Sequence, residues 1–309
     1  MATDTDTDRD EPARIAAAVL SAHPDYRVLR RLAVTSDFGV RLQGPVATAV
    51  VVDTETTGTN RGSDRIIEFG LLKFEYGETS GEISRITAVY SGLEDPGRPI
   101  PPEATAIHGI TDAMVAGRHL DDARIGTLLT DVKLVIAHNA GFDRPFLEAR
   151  LKVFENLRWA CSFEQIRWSE EGFRGSKLEY LGWESGFFYD AHRSEVDCRA
   201  LLEVLRRPLP KSGVIAFKRL LDGSAEPALR LWATGAPFES KDLLRARGYR
   251  WDPERRSWHR VVAKSAAKEE SEWLKADVYD GRTVQIEVEV LDAKVRFSER
   301  PGPRKTRVL

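Results

Sequence analysis

The stretch TAVVVDTETTG, residues 48–58, constrains this chain more than any other. A run of β-branched residues of this kind reads as a central strand buried on both faces. It ends in Asp53 and Glu55, and residues two apart on a strand share a face. Two carboxylates held side by side repel each other unless a cation lies between them. The other reading is a strand that stops at a polar turn, with Gly58 as its turn residue. Context has to choose between the two.

An α/β pattern surrounds this strand. DRIIEFGLLKFEY and ISRITAVYSGL predict two further strands, with GETSGE as the turn between them. KLVIAHN predicts a short strand, and FDRPFLEARLKVFE a helix with Phe142, Phe146, Leu147, Leu151 and Phe154 on one stripe. CSFEQIRW and KLEYLGWESG read as helical pieces, and SEVDCRALLEVLRR as the helix that closes the domain. From about Ala228 the character changes to LRLWAT, YRW, SWHRVV and TVQIEVEVL, four strand-like runs beside two helical ones. Here WDPERRSW reads as a hairpin whose Trp251 and Trp258 suit a cross-strand aromatic pair. The expected organisation is a disordered acidic tail over 1–10 and a helical extension over 11–45. A main domain over 46–210, a small α+β module over 225–298 and a basic tail over 299–309 follow.

No apolar run approaches the length of a membrane span. The opening MATDTDTDRDEPAR is acidic where a secretory leader would be basic, which leads us to expect a cytoplasmic protein with no membrane partner. Cys161 and Cys198 stand far apart without a Cys-x-x-Cys pair, which fits a reducing compartment and argues against a thiolate metal site. The net charge of −2 hides an asymmetry. Residues 1–11 sum to −4, whereas KVRFSERPGPRKTRVL at the other end carries six basic residues against one Glu. Such a tail either touches nucleic acid or is simply solvated.

Three more places carry candidate chemistry. AGFDRPF puts Asp143 at a helix start, where alone it reads as an N-cap with Pro145 in the first turn. HRSEVD puts His192 in a loop and Asp197 in the first turn of a helix, where Ser194 and Asp197 alone read as a capping box. AIHGIT supplies His108, which alone means nothing. Together they give four acids in the order Asp, Glu, Asp, Asp at a strand end and two helix starts, with a histidine five residues before the last. Carboxylates so placed can converge on one end of a sheet and bind two hard cations through oxygen.

At this point the sequence resembles a known family. DTETTG, IHGIT, HNAGFD and HRSEVD are similar to the exonuclease motifs, plus the intervening His-Gly motif, of the DEDDh 3′–5′ exonucleases. These include the proofreading epsilon subunit of bacterial DNA polymerase III, ribonuclease T and oligoribonuclease. The resemblance covers roughly residues 46–206. It implies a ribonuclease H-like fold, a mixed five-stranded sheet flanked by helices. It implies that Asp53, Glu55, Asp143 and Asp197 hold two Mg²⁺ or Mn²⁺ ions, and that His192 is the general base. The expected activity is metal-dependent hydrolysis of nucleic acid, DNA favoured, from the 3′ end to 5′-mononucleotides. Thr56, Thr59, His108, Asn139 and Phe142 would line the pocket for the terminal nucleotide, Phe142 having a core role as its alternative. The family commonly carries a bulky apolar wedge after the motif glycine, where this sequence has Thr59.

Other readings stay open at this stage. An exoribonuclease would carry the same motifs. A nucleic-acid end-binder or scaffold could act through the C-terminal module, with Trp251, Trp258, Arg255, Arg256 and Arg260 meeting bases and phosphates, or that module could engage a protein partner. Against this, a small sheet also needs tryptophan to fill its core.

Overall fold

The computed structural model describes residues 6–309, which build two five-stranded sheets and one two-stranded pair. The chain enters through α1 (Asp6–Ser21) and a two-residue strand β1 (Arg30–Arg31). The expected acidic tail lies outside the described residues over 1–5, and α1 occupies the rest of it. Three long strands follow: β2 (Val46–Thr56), β3 (Ile66–Gly77) and β4 (Ile83–Leu93). Short helices α2 (Pro102–His108), α3 (Asp112–Val115) and α4 (Asp122–Leu128) lead to β5 (Val132–Ala137). Next come α5 (Ala140–Arg150), β6 (Trp159–Cys161), α6 (Ser162–Gln165) and α7 (Leu178–Glu184). The two-residue β7 (Phe187–Phe188), α8 (Ser194–Leu205) and α9 (Ala216–Ala225) complete this half.

The first sheet has the order β4-β3-β2-β5-β6, antiparallel on the β4 side of β2 and parallel on the other. This is the mixed, helix-flanked sheet the resemblance implies. β2 is central and buried on both faces, as its valines predict. Val50 and Val52 point into one core with Phe69, Leu71, Phe146, Leu147 and Trp159. Ala49 and Val51 point into the other, with Leu72, Phe74, Leu201 and Phe217. Each fully buried aliphatic or aromatic side chain here contributes roughly 1.5–3 kcal/mol. Helix α9 was unassigned in the sequence, yet its Phe217 ring meets Phe74 and Tyr76 edge-on at 5.4 and 4.9 Å and extends this core past residue 210. A second correction concerns CSFEQIRW, where Cys161 ends β6 because its run is buried against β5, and only Ser162–Gln165 is helical.

The second sheet is antiparallel, in the order β12-β11-β8-β10-β9. Its strands are β8 (Ala228–Ala233), β9 (Arg250–Asp252), β10 (Ser257–Ala263), β11 (Gln285–Leu291) and β12 (Arg304–Val308). Helices α10 (Lys241–Ala246) and α11 (Ala267–Trp273) cover one face. Trp251 and Trp258 pair across β9 and β10 as expected, with ring centroids 5.6 Å apart. The basic tail is not free. β12 pairs with β11 from Arg304 to Val308, so the module runs to the end of the described chain. Its polar sequence concealed an edge strand whose side chains stay largely exposed and which is held by its backbone pairing with β11. Among the described residues no helix is long and apolar enough to cross a membrane.

Arg144 locks the two halves together. Its guanidinium is fully buried, pairs with Glu148 at 2.7 Å, and donates to the carbonyls of Ala293, Lys294 and Arg296. Glu148 in turn accepts from Ser298 and Arg300, and Trp159 N–H donates to the Ala293 carbonyl at 2.7 Å.

One glycine seats α8 on the sheet. A Cβ at Gly70 would stand 2.6 Å from the Ser194 carbonyl carbon and 2.7 Å from Glu195 N, so the helix N-terminus lies directly on β3. Gly70→Ala is therefore expected to force backbone apart and lower stability by about 1–3 kcal/mol in urea unfolding. Gly126→Ala, in α4 with nothing within 4 Å, should instead raise it by up to about 1 kcal/mol. Equal effects of the two would show that the α8 seat is compliant.

Candidate active site

The register of β2 on β3 sets the floor of the site. Asp53 stands opposite Gly70 and Glu55 opposite Glu68, and the alternation that puts Val51 and Leu72 in one core carries all four toward α8. Glu68 is a fifth acid that sequence reasoning passed over. It is nearly fully buried, and a like charge directly opposite Glu55 is unfavourable on its own. Arg193 offsets it with two guanidinium nitrogens, at 2.7 and 3.1 Å, and Ser194 N–H donates to it at 2.9 Å. Its signal was a lone charge in the apolar run RIIEFGLL, two residues before the glycine that admits α8.

Helix α8 brings the fourth motif. Arg193, not Ser194, is its N-cap, and the Ser194 hydroxyl is buried without a partner. The capping-box reading is therefore wrong in its first half: Ser194 is pressed onto Gly70 and cannot reach back. Asp197 does accept from Arg193 N–H at 3.0 Å. It also offers an oxygen to the space between Asp53 and Glu55, and ligand atoms of these three lie within 4.8 Å of one another. His192, two residues before the helix, is exposed at φ +67°. A non-glycine residue held there costs of order 1 kcal/mol, a strain that clusters at functional sites.

Asp143 comes from the opposite face. Helix α5 is capped at Asn139, which is exposed at φ +92°, so Asp143 is the fourth helical residue and not the N-cap. Its carboxylate is buried and accepts from Thr54 N–H at 3.1 Å and Thr54 Oγ1 at 2.8 Å, which ties it to β2 at the residue between Asp53 and Glu55 in sequence, outside the three acids whose ligand atoms converge. Pro145 cannot donate to the Gly141 carbonyl four residues back. Arg61, from the loop after β2, supplies that bond. The structure thus joins the first motif loop to the start of α5.

The remaining candidates lie around these acids. Thr56 is buried and donates to the Gly58 carbonyl at 2.6 Å, and Thr59 is exposed. Phe142 is half-buried against Phe146, centroids 5.1 Å apart, at the edge of the core. His108 is buried at the end of α2. Its Nδ1 accepts from Ile110 N–H at 3.0 Å, so the neutral ring carries its proton on Nε2, which has no partner among the described residues. Burial lowers its pKa, helped by His192 and Arg193 and opposed by Glu68. His138 has a structural use: Nε2 meets the Ser176 carbonyl at 2.7 Å, and burial pushes its pKa down to about 4. Tyr189, also missed in the sequence, buries its hydroxyl beside Asp197, and burial followed by that charge pushes it up.

Burial pushes all four motif acids up. Asp53 is raised well above the carboxylate range by burial and then by Asp143, Asp197, Glu55 and Glu68. Glu55 reaches about 8 through burial, Asp197 and Glu68, opposed by Arg193. Asp143 reaches about 7, burial outweighing the Thr54 bonds. Asp197 is raised by burial and held back by the Arg193 N–H and by its nearness to His192. A cluster of hard oxygen donors that protonates near neutrality fits a divalent cation, which replaces protons and repulsion together. Cys198 is no ligand, for its thiol is buried toward the Val51 carbonyl.

Comparison with known proteins gives the family of the segment that carries these acids. The ribonuclease T family, described as exonuclease, matches residues 50–205. A DNA polymerase III subunit epsilon-like protein of Rhodobacter capsulatus is 40% identical over 113 residues, which is 33% of this chain but only 14% of that protein. The DNA polymerase III subunit epsilon of Treponema pallidum is 32% identical over 161 residues, 49% of this chain and 72% of the relative. Among solved structures, an exonuclease X in complex with 5′ overhanging duplex DNA is 26% identical. It covers 57% of this chain and 98% of its own, with a TM-score of 0.43.

The raised acids give a pH dependence of defined sign. A carboxyl whose folded pKa exceeds its unfolded value of about 4 binds more protons in the native state, so its stabilising effect is lost as pH rises toward the folded value. In EDTA the melting temperature should therefore fall between about pH 5 and about pH 8. Glu55→Gln should flatten that fall, and added Mg²⁺ should raise the melting temperature more at the alkaline end. A wild-type curve no steeper than that of Glu55→Gln would remove the repulsion from the account.

Proposed function

The chain belongs to the ribonuclease T family of exonucleases, and on that premise we propose that it removes nucleotides one at a time from the 3′ end of single-stranded DNA, releasing 5′-mononucleotides. The observation that carries this reading is the meeting of ligand atoms of Asp53, Glu55 and Asp197 within 4.8 Å, with Asp143 bound to the neighbouring Thr54. The DNA preference rests on the names of the matched relatives, which are DNA polymerase III subunits. The working compartment proposed is the cytoplasm.

Two Mg²⁺ or Mn²⁺ ions held by Asp53, Glu55, Asp143 and Asp197 would supply Lewis-acid polarisation of the phosphate and an acidified water. His192 takes the proton of the attacking water, as a positioned general base. The charge it then carries favours the ionised form of Asp197 beside it. The loop bearing His192 is held at both ends. β7 pairs with β1, Arg31 reaches Asp190 at 2.7 Å, and Arg193 clamps Glu68. His108 presents its unpartnered Nε2–H toward the terminal nucleotide, and the backbone at Thr56 meets the terminal 3′-hydroxyl. Asn139, Phe142 and Thr59 border that pocket, Thr59 without the bulk of an apolar wedge.

A 5′-labelled single strand should shorten in single-nucleotide steps with Mg²⁺ or Mn²⁺ and stay intact in EDTA. Matched DNA and RNA oligonucleotides in the same assay set the sugar preference. Cutting of a closed circle, or activity that survives EDTA, would sink the reading.

Asp53→Ala should abolish turnover while the metal-free fold stays at least as stable, because it relieves repulsion. His192→Ala should lower kcat by roughly 10²–10⁴-fold and remove the rise of kcat with pH. His108→Ala should raise KM more than it lowers kcat. Near-normal turnover in His192→Ala would displace the general base from this residue.

A further inference from the structure

The C-terminal module contributes none of the acids, yet its cations and rings have an order that core packing does not require. Phe238 is 74% exposed, and Lys241 Nζ lies 4.2 Å over its ring. One helical turn along α10, about 5–6 Å away, stands Arg245. Its guanidinium lies over Trp258 at 5.9 Å, and the Trp258 ring meets that of Trp251 at 5.6 Å. Trp251 is 49% exposed, sits at the centre of the edge strand β9, and belongs to no core cluster. The order is thus ring, two cations and two rings, with Trp258 also resting on the module's core.

Charge separates these residues from the rest of the module. Arg247, Arg255 and Arg260 are committed to Glu270, Glu287 and Glu270. Among the described residues Lys241 has no acidic partner, and Arg245 has only the exposed Asp242 at 3.1 Å. Residues 228–309 carry 18 Lys and Arg against 13 Asp and Glu, whereas residues 1–227 carry 28 against 35. The half that holds the acids repels a polyanion, and the module supplies the attraction. The hairpin also acts on the nuclease half through Arg250. Burial pushes Glu164 of α6 up while Arg250 of β9 opposes it, and a Cβ on Gly141, two residues before Asp143, would be 4.0 Å from that carboxylate.

We propose that Phe238, Lys241, Arg245, Trp258 and Trp251 form a track that binds single-stranded nucleic acid a few nucleotides behind the reacting end, bases on the rings and phosphates on the cations. Stacking of this kind tolerates any sequence, because every base has a π-face. The proposal rests on reading the chain as a nuclease for single strands, but its test does not depend on turnover.

The full chain in EDTA is titrated against 5′-labelled oligothymidylate and oligouridylate of about 20 nucleotides, followed by anisotropy, at about 50 and about 200 mM salt. Trp251→Ala should weaken binding about 10-fold on at least one strand, and Trp251→Phe should keep most of the affinity. Lys241→Gln with Arg245→Gln should lower the salt slope by about 1 to 2. Melting curves of the variants should match wild type. Hydrolysis of a dinucleotide, too short to reach the track, should be unchanged in Trp251→Ala. If the affinities and salt slopes of all variants equal wild type on both strands, the track is overturned. If wild type binds as described but degrades nothing with Mg²⁺ or Mn²⁺, the nuclease reading fails and the track stands.

Discussion

Repulsion among carboxylates governs how this protein is built. Five acids, Asp53, Glu55, Glu68, Asp143 and Asp197, are brought together by elements that otherwise pack as an ordinary α/β core. Nothing local favours that assembly. The register of β2 on β3 places Glu55 opposite Glu68 because the valines on either side must reach their cores. Arg193 and the N–H of Ser194 hold the charge of Glu68 from the α8 side, and Thr54 holds Asp143 from the α5 side. Of the other three acids only Asp197 accepts a hydrogen bond among the described residues, from Arg193 N–H, and their remaining oxygens repel one another unless ions or protons lie between them.

Several positions that look locally unfavourable exist to keep this assembly in place. Pro145 breaks the hydrogen-bond ladder of α5 and thereby frees the Gly141 carbonyl for Arg61. His192 and Asn139 occupy left-handed backbone at the two points where the chain turns into the helices that carry Asp197 and Asp143. Gly70 gives up side-chain packing in the middle of a strand so that α8 can approach. Each is a small local cost at a place where two elements must meet closely.

The sequence was legible where a residue and its neighbours act alone. Alternation placed Asp53 and Glu55 on one face, the stripe Phe142, Phe146, Leu147 placed α5, though the helix ends at Arg150 and leaves Leu151 and Phe154 beyond it, and the spacing of Trp251 and Trp258 placed a hairpin. It was illegible where the partner is distant along the chain. Ser194 reads as a cap until Gly70 is known to lie beneath it. Glu68 reads as an oddity in a strand until Arg193 arrives 125 residues later. The stretch RKTRV has the look of a tail because its side chains are largely exposed and only its backbone pairing with β11 makes it a strand. The order of the four acids survived this limit only because the motifs are short, distinctive and in sequence, so their resemblance carried what spacing could not.

The buried guanidinium of Arg144 gives the boundary of the protein a meaning that similarity does not. The family match ends at residue 205, yet the residue next to Asp143 directs its charge into carbonyls of residues 293–296. A chain that stopped at the end of the match would leave a cation inside α5 with Glu148 as its chief partner, and Glu148 would lose Ser298 and Arg300 as well. The matched segment is therefore shorter than the set of residues that surrounds its buried charge. The nuclease half and the C-terminal module of this chain share one buried charge, and parting them would strip it of most of its partners.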